Sequence, residues 1–280
     1  MPHLIATDLD GTLLRSDHTT ISPRNRAALT AAAGQGVRVV AISGRQPYSI
    51  AAIVAGTPLE GVALGSNGAI GVDLATGEPL FQELIDVEVQ STFTRAMQQR
   101  FGNVKVTSVR DYGNTYVAQH GYDGDKDPGA GLAAWPVAHR YADLRAVLEV
   151  PSVKLVLRDP DLDPVVLWEA ARELDLPGCE VTTSGAPFLE VGPAGVTKAT
   201  GLARLCTAWG INADDVVALG DHVNDVEMLA WAGHGVAMGN AELAARQVAD
   251  EVTGTNEDDG FAQAVERLLA AAPSSGRALR

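Results

Sequence analysis

The chain has 280 residues, of which 46% are hydrophobic and 20% charged, a composition typical of a folded globular protein. Its 21 Lys and Arg side chains are outnumbered by 35 Asp and Glu side chains, which gives a formal net charge of −14. Such acidity argues against a broad nucleic-acid-binding face and against docking on anionic membranes. The two cysteines lack metal-ligand spacing, and neither a signal-peptide pattern nor a membrane-spanning apolar run is present, so we expect a soluble cytoplasmic protein.

The first predicted element is a short apolar strand, Leu4–Thr7, that ends in two carboxylates. Because side chains alternate along a strand, Asp8 and Asp10 face the same way while Leu9 points into the protein. The two acids repel each other, and a divalent cation, which prefers oxygen ligands, would lower that cost. Asp-Gly is also a common turn dipeptide, so this stretch alone fits the tip of a β-hairpin equally well.

The next elements favour a ligand site over the hairpin. Residues 22–33 are predicted to form a helix, and the continuous apolar run at 37–42 is typical of a buried strand that ends at Ser43. A strand, a helix and a strand joined by short connections imply parallel pairing. Both strands then end at the same edge of the sheet, where open α/β sheets bind ligands. We therefore expect Ser43 to lie beside Asp8 and Asp10.

The remaining pattern predicts a Rossmann-like parallel sheet interrupted by an α+β insertion. Further helices are predicted over residues 48–55, 87–101, 164–174, 198–209, 226–232 and 261–271, and further strands over residues 61–64, 70–74, 104–109, 115–118, 153–157, 179–183, 188–191 and 216–219. Residues 119–136 lack periodicity and predict an irregular loop. The α/β pattern of buried strands and helices gives way near residue 83 to helices and half-exposed strands, and it returns near residue 188. We therefore predict a discontinuous α/β core of residues 1–82 and 188–280 with an inserted domain of residues 83–187.

Four groups of polar residues, distant in sequence, follow strands or begin helices. They are Asp8 with Asp10, Ser43 with Gly44, Lys198, and Asp221 with Asn224 and Asp225. Together they supply carboxylates, an ammonium, a hydroxyl, backbone donors and an amide, whereas the chain has no P-loop and no GxGxxG fingerprint. Taken alone, Lys198 also fits an exposed lysine in the first turn of a helix.

In this order the four groups resemble the four motifs of the haloacid dehalogenase (HAD) superfamily of phosphatases, in the Cof-type group with a large inserted cap. Asp-Leu-Asp-Gly-Thr at 8–12 resembles the first motif, Ser43-Gly44-Arg45 the second, Lys198 the third and Gly-Asp-x-x-Asn-Asp at 220–225 the fourth. The stretches at 66–69, 235–241 and 256–260 resemble the same group. The resemblance covers both halves of the core, whereas the cap matches only in position and length. His222 departs from the family pattern, which usually has a small residue there.

The resemblance implies a Mg²⁺-dependent phosphatase that forms an aspartyl-phosphate on Asp8. Asp10 would be the general acid that protonates the leaving oxygen and then the base that activates water. Mg²⁺ would bind Asp8, the backbone carbonyl of Asp10, and Asp221. Lys198 would add a second positive charge next to Asp8 and the phosphate.

The resemblance also implies how the phosphate is held. Its oxygens would be bound by the Ser43 hydroxyl, the backbone N–H groups of Gly44 and Leu9, the Asn224 amide and Lys198. Asp225 would orient Lys198 or a metal-bound water. Arg45 would contact substrate or simply pair with nearby acids.

The implied substrate is a small phosphate ester such as a sugar phosphate. A sugar phosphomutase or phosphotransferase also begins with an aspartyl-phosphate, and a non-catalytic metabolite-binding protein on the same fold is a further alternative. Within the inserted domain, the candidates for substrate selection are Arg110, Tyr112, Tyr116, Trp135, His139 and Lys154. A role in the core or on the solvated surface is equally compatible with each of them.

Overall fold

A computed structural model describes residues 2–122 and 140–271 of the chain. The chain divides into two compact units, which are described separately below. The first comprises Met1–Ala41, Ile53–Gly61 and Ala203–Arg280, and the second comprises Ile42–Ala52 and Val62–Leu202. Among the described residues, no helix has both the length and the apolar character that crossing a bilayer requires.

The elements follow the predicted alternation of strands and helices. The strands are Leu4–Thr7 (β1), Arg38–Ile42 (β2), Val62–Gly65 (β3), Ile70–Asp73 (β4), Pro79–Gln82 (β5), Lys105–Arg110 (β6), Thr115–Gln119 (β7), Arg140–Ala142 (β8), Lys154–Arg158 (β9), Cys179–Thr182 (β10), Leu189–Pro193 (β11), Val216–Gly220 (β12), His234–Ala237 (β13) and Glu251–Val252 (β14). The helices are Pro23–Gly34 (α1), Pro47–Val54 (α2), Val87–Phe101 (α3), Leu144–Val147 (α4), Pro164–Leu174 (α5), Lys198–Trp209 (α6), Val226–Trp231 (α7), Leu243–Val248 (α8) and Gly260–Ala271 (α9).

The first unit is built on parallel strands in the order β14-β13-β12-β1-β2. β1 lies inside this order, and its side chains are fully buried because the sheet is covered on both faces. Its last residue, Thr7, is in register with Ala41 of β2 and with Leu219 of β12. The three strands therefore end at one edge, as the sequence predicts, and the α/β class is confirmed.

The second unit contains antiparallel strands and a six-stranded sheet. β3, β4 and β5 pair antiparallel in sequence order. The six-stranded sheet has the order β10-β11-β9-β6-β7-β8 and is antiparallel except between β7 and β8. The amphipathic helices α3 and α5 bury Phe93, Met97 and Leu167 in a core that includes Leu155 of β9. The helices and antiparallel strands of this unit match the α+β character predicted for the insertion.

Several features depart from the sequence-based expectations or lie outside them. The strand predicted over residues 188–191 is β11, and it pairs with β9 and β10 of the six-stranded sheet. The predicted bounds of the inserted domain stay a prediction. The short strands β5, β8, β13 and β14 were not predicted, since runs of two to four residues have no recognisable period. Trp135, His139 and the predicted loop from residue 123 onward lie outside the described residues.

Candidate active site

Three carboxylates of the first unit come together at the carboxyl edge of its sheet. Asp8 directly follows β1, and Asp221 directly follows β12, the strand paired with β1. Carboxylate oxygens of Asp8, Asp221 and Asp225 all lie within 4.8 Å of one another. Asp8 and Asp225 are 5% and 0% exposed, so the charges are held largely away from water. We call these three residues the acid cluster.

The turn after β1 is shaped by its approach to this cluster. Residues Leu9–Leu13 form one wide turn that a 2.8 Å hydrogen bond from the Leu14 N–H to the Leu9 carbonyl closes, and the Leu9 side chain is fully buried, as predicted. Gly11 has a φ of +79°, and a Cβ atom there would lie 2.2 Å from Oδ2 of Asp221. Only glycine combines this backbone conformation with so close an approach. The next residue, Thr12, donates a 2.7 Å hydrogen bond from its hydroxyl to Oδ1 of Asp221.

Asp225 holds the turn that follows β12. Its Oδ2 accepts hydrogen bonds from the backbone N–H groups of Asp221 and His222, at 3.0 and 3.1 Å. A Cβ atom on Gly220 would lie 2.5 Å from Cβ of Asp225, so the side chain is packed directly against the end of the strand. These contacts fix the backbone that carries Asp221. The role that the resemblance implies for Asp225, orienting Lys198 or a metal-bound water, stays a prediction.

Asp10 and His222 make contacts away from the acid cluster. The half-buried carboxylate of Asp10 has Oδ1 2.9 Å from Nδ1 of His18, a residue with a φ of +58°. The imidazole Nε2 of His222 lies 2.9 Å from Oε1 of Glu242. Metal binding by the Asp10 carbonyl and acid–base catalysis by its side chain both stay predictions.

Two asparagines that sequence reasoning did not single out brace the same turn. Asn240 donates from Nδ2 to the Gly11 carbonyl at 2.8 Å, and its Oδ1 accepts the backbone N–H of Asn256 at 2.9 Å. Asn256 in turn donates from Nδ2 to the Leu14 carbonyl at 2.9 Å. The sequence signal was available, since both residues lie in stretches that resemble the HAD family, but no pattern indicated which backbone groups they bind.

The acid cluster has the donor set of a divalent-cation site. Carboxylate oxygens are the hard ligands that Mg²⁺ prefers. With an effective dielectric constant near 20, two unit negative charges no more than 4.8 Å apart repel by at least about 3.5 kcal/mol. A bound cation would convert that repulsion into attraction for all three residues. The residues present therefore fit a divalent metal.

The second unit holds the remaining predicted residues. Ser43 and Gly44 directly follow β2, and Lys198 is the first residue of α6. Lys198 is only 1% exposed, so its interpretation as an exposed first-turn lysine is wrong. Arg45 places Nη1 3.4 Å from the Ser49 hydroxyl. The first unit thus contains Leu9, Asp8, Asp10, Asp221, Asn224 and Asp225, and the second contains Ser43, Gly44, Arg45 and Lys198.

Most of the substrate-selection candidates that the structure describes make contacts with buried groups. Arg110 donates from Nη2 to the carbonyls of Ala146 and Val147, and burial lowers the pKa of its guanidinium. Tyr116 is buried with its hydroxyl 3.4 Å from that of Tyr48, and burial raises the pKa of Tyr116 well above its usual value. Tyr112 packs beside the hydrophobic cluster that contains Tyr116. Lys154 forms a buried ion pair with Glu190.

Sequence and fold both match known hydrolases. Residues 5–265 match the model of the haloacid dehalogenase-like hydrolase family. The chain is 29% identical over 266 residues to a 5-amino-6-(5-phospho-D-ribitylamino)uracil phosphatase of Bacillus subtilis, with 95% of each chain covered. It is 31% identical over 265 residues to a phosphoglycolate phosphatase of Natronomonas pharaonis, covering 94% of this chain and 96% of that one. A solved haloacid dehalogenase-like hydrolase from Bacteroides thetaiotaomicron aligns with a TM-score of 0.75 at 30% identity, covering 96% of this chain and all of the other.

Proposed function

This chain belongs to the haloacid dehalogenase-like hydrolase family and is a phosphatase, and from that premise we propose that it is a Mg²⁺-dependent hydrolase of small phosphate esters that acts through an aspartyl-phosphate on Asp8. One observation carries the proposal: Asp8, almost completely buried at the end of β1, lies within 4.8 Å of two further carboxylates. Such a cluster suits a divalent cation, whose charge offsets that of the carboxylates and allows a phosphate dianion to approach Asp8.

The first step transfers the phosphoryl group to the protein. A carboxylate oxygen of Asp8 attacks phosphorus, and the bond from phosphorus to the ester oxygen breaks. Asp10 gives its proton to that oxygen, and the alcohol leaves. The buried position of Asp8 keeps competing water away from the phosphoryl group during this step.

The second step restores the enzyme. Asp10, now ionised, removes a proton from a water molecule whose oxygen attacks phosphorus and displaces the Asp8 carboxylate. Inorganic phosphate is released, Asp8 is again a carboxylate, and Asp10 is again protonated. The two steps together therefore consume one water molecule for each ester hydrolysed.

The metal and the phosphate contacts complete the proposal. Asp8, Asp221 and the Asp10 carbonyl would hold Mg²⁺, which when bound neutralises negative charge on the carboxylates and the phosphate. The phosphate oxygens would be bound by the Ser43 hydroxyl, the N–H groups of Leu9 and Gly44, the Asn224 amide and the Lys198 ammonium. Asp225 supports Asp221, whose backbone N–H it accepts.

The test measures phosphate release from p-nitrophenyl phosphate and from a panel of sugar phosphates, phosphoglycolate and 5-amino-6-(5-phospho-D-ribitylamino)uracil. The wild type should be active with Mg²⁺ and inactive with a chelator. Asp8→Asn, which removes the nucleophilic charge, should lower kcat by at least about 10³-fold. Asp214→Asn makes the same chemical change at an exposed position of the first unit and should leave kcat unchanged.

Two results would contradict the mechanism. Hydrolysis that survives Asp8→Asn would remove Asp8 from the chemistry, and hydrolysis that survives the chelator would remove the metal. A sugar phosphomutase would instead move phosphate between positions or sugars while releasing little free phosphate, which the same panel detects.

A further inference from the structure

A buried ion pair in the second unit touches the turn that follows β2. Lys154 of β9 and Glu190 of β11 are only 5% and 3% exposed, and the Lys154 ammonium donates to Oε1 of Glu190. The same ammonium donates a 2.7 Å hydrogen bond to the backbone carbonyl of Gly44. One buried cation is therefore shared between a buried carboxylate and a turn that is proposed to bind phosphate.

The Gly44 carbonyl is connected to the Ser43 hydroxyl through a single peptide group and one hydrogen bond. It belongs to the same planar peptide group as the N–H of Arg45, so fixing the carbonyl also fixes that N–H. The Arg45 N–H donates to Oγ of Ser43 at 3.2 Å. A hydroxyl that accepts this bond keeps its own hydrogen to donate elsewhere. Lys154 is thereby linked, through one peptide group, to the oxygen of the Ser43 hydroxyl.

Glu190 constrains the same turn from its other side. Its Oε2 accepts a 3.4 Å hydrogen bond from Nδ2 of Asn67, whose backbone N–H donates to the Ser43 carbonyl at 3.0 Å. Asn67 has a φ of +56°, a conformation that asparagine tolerates better than most residues. A Cβ atom on Gly44 would lie 3.2 Å from Oδ1 of Asn67 and 3.3 Å from Oε1 of Glu190. The peptide groups on both sides of the turn are thus tied to the ion pair.

Stability alone does not account for charges at these positions. Removing two charges from water costs about as much as their attraction returns, and apolar pairs of similar volume are often equally stable or more so. What an apolar pair cannot do is donate to the Gly44 carbonyl or accept from Asn67. The contacts that distinguish the ion pair from an apolar pair are therefore the contacts to the turn.

We propose that Lys154 and Glu190 are positioning residues that orient the Ser43 hydroxyl toward the substrate phosphate. This inference rests on the proposed function, in which Ser43 binds a phosphate oxygen. The pair itself touches no reacting atom, and it acts through the peptide group between Gly44 and Arg45.

The test compares three variants with the wild type on p-nitrophenyl phosphate. Lys154→Met/Glu190→Leu removes both charges together, Ser43→Ala removes the hydroxyl, and the triple variant combines them. The first two should each lower kcat/KM by about 10- to 100-fold. If the pair acts through the hydroxyl, the triple variant should be no less active than Ser43→Ala, since residues that act as a unit are not additive.

A control and a second readout separate positioning from general damage. Gln90→Met/Ser152→Ala removes another buried, hydrogen-bonded polar pair of the second unit that does not touch the turn, and it should leave kcat/KM unchanged. Amide hydrogen exchange at Arg45 should accelerate in Lys154→Met/Glu190→Leu and stay slow in the control, because the peptide group that carries the Arg45 N–H loses the ammonium that holds its carbonyl.

The failures of the two ideas are distinguishable. Full activity of Lys154→Met/Glu190→Leu together with a large defect in Ser43→Ala would overturn the positioning role and leave the proposed function standing. A further activity loss in the triple variant, multiplying that of Ser43→Ala, would also overturn it. Full activity of Ser43→Ala would remove the phosphate contact of Ser43 and, with it, the positioning role.

Discussion

In the first unit the carboxylates of Asp8, Asp221 and Asp225 lie within 4.8 Å of one another, whereas in the second unit the buried Lys154 faces the buried Glu190. Like charges repel, so the binding of a cation to the acid cluster lowers the free energy of the folded protein. Opposite charges neutralise each other, so the ion pair does not require a bound ion. Its ammonium also donates to the backbone carbonyl of Gly44. The difference separates a group of residues suited to bind something from a group suited to support a neighbour.

The largest expected effect breaks the charge balance of the ion pair. Lys154→Met leaves the Glu190 carboxylate buried without its ammonium, and we expect the free energy of unfolding to fall by about 3–5 kcal/mol. Lys154→Met/Glu190→Leu removes both charges and should recover most of that loss. Urea unfolding of both variants measures the difference. Equal stability of the single and the double variant would mean that the pair is not charge-balanced as described.

The second effect concerns the acid cluster, where the experiment adds a positive charge, Mg²⁺, instead of removing one. A cation that binds only the folded protein stabilises it by about 2.7 kcal/mol at a concentration of 100 Kd. Mg²⁺ should therefore raise the melting temperature of the wild type, and a chelator should reverse the rise. Asp221→Asn should abolish this response, whereas Lys154→Met/Glu190→Leu should keep it. An undiminished Mg²⁺ response in Asp221→Asn would place the cation elsewhere.

The two regions also differ in how much of them the sequence predicts. The βαβ pattern of β1, α1 and β2 predicts that Asp8 lies at the carboxyl edge of a parallel sheet, whereas the partnership of Asp8 with Asp221 was implied by the resemblance to the HAD family. The helices at Val87–Phe101 and Pro164–Leu174 were predicted with these same bounds because their apolar period is long and uninterrupted. Local pattern and topology together were sufficient for the two helices and for the position of Asp8.

The contacts of the ion pair were not predictable in the same way. Lys154 and Glu190 are 36 residues apart, and whether a lysine on a strand points into a core depends on which strands become its neighbours. The contact between Asp10 and His18 depends on a histidine with a left-handed backbone, which no local pattern indicated. Side-chain pairing across elements is decided by packing, and a single sequence carries little trace of it.

The third effect tests how closely the backbone must approach the acid cluster. Gly36 has a φ of +83° with nothing near the position of a Cβ atom, so Gly36→Ala should cost only the backbone strain, about 1–2 kcal/mol. Gly11 has nearly the same φ, but a Cβ atom there would overlap the Asp221 carboxylate. We expect Gly11→Ala to cost about 1–3 kcal/mol more than Gly36→Ala in urea unfolding. Equal costs would show that the turn moves away freely.

Gly11→Ala should also weaken the Mg²⁺ response in melting experiments, since it displaces Asp221. Gly36→Ala, which introduces the same methyl group far from any contact, should leave that response intact. The matched pair thus separates the geometry of the acid cluster from the general strain of an alanine in a left-handed conformation.

The smallest effect concerns an exposed acid held by the same kinds of donor as the buried ones. Asp17 accepts hydrogen bonds from the Thr20 hydroxyl and from the N–H groups of Thr19 and Thr20, and these bonds lower its pKa to about 2. Because the pKa is lower in the folded protein than in the unfolded chain, the stabilisation is complete above pH about 4 and is lost as the pH falls through about 2. Thr20→Val removes the strongest of the three donors and should move the Asp17 pKa back toward its usual value, as followed by NMR titration of the carboxyl carbon. An unchanged pKa in Thr20→Val would mean that the Thr20 hydroxyl does not control the ionisation of this carboxylate.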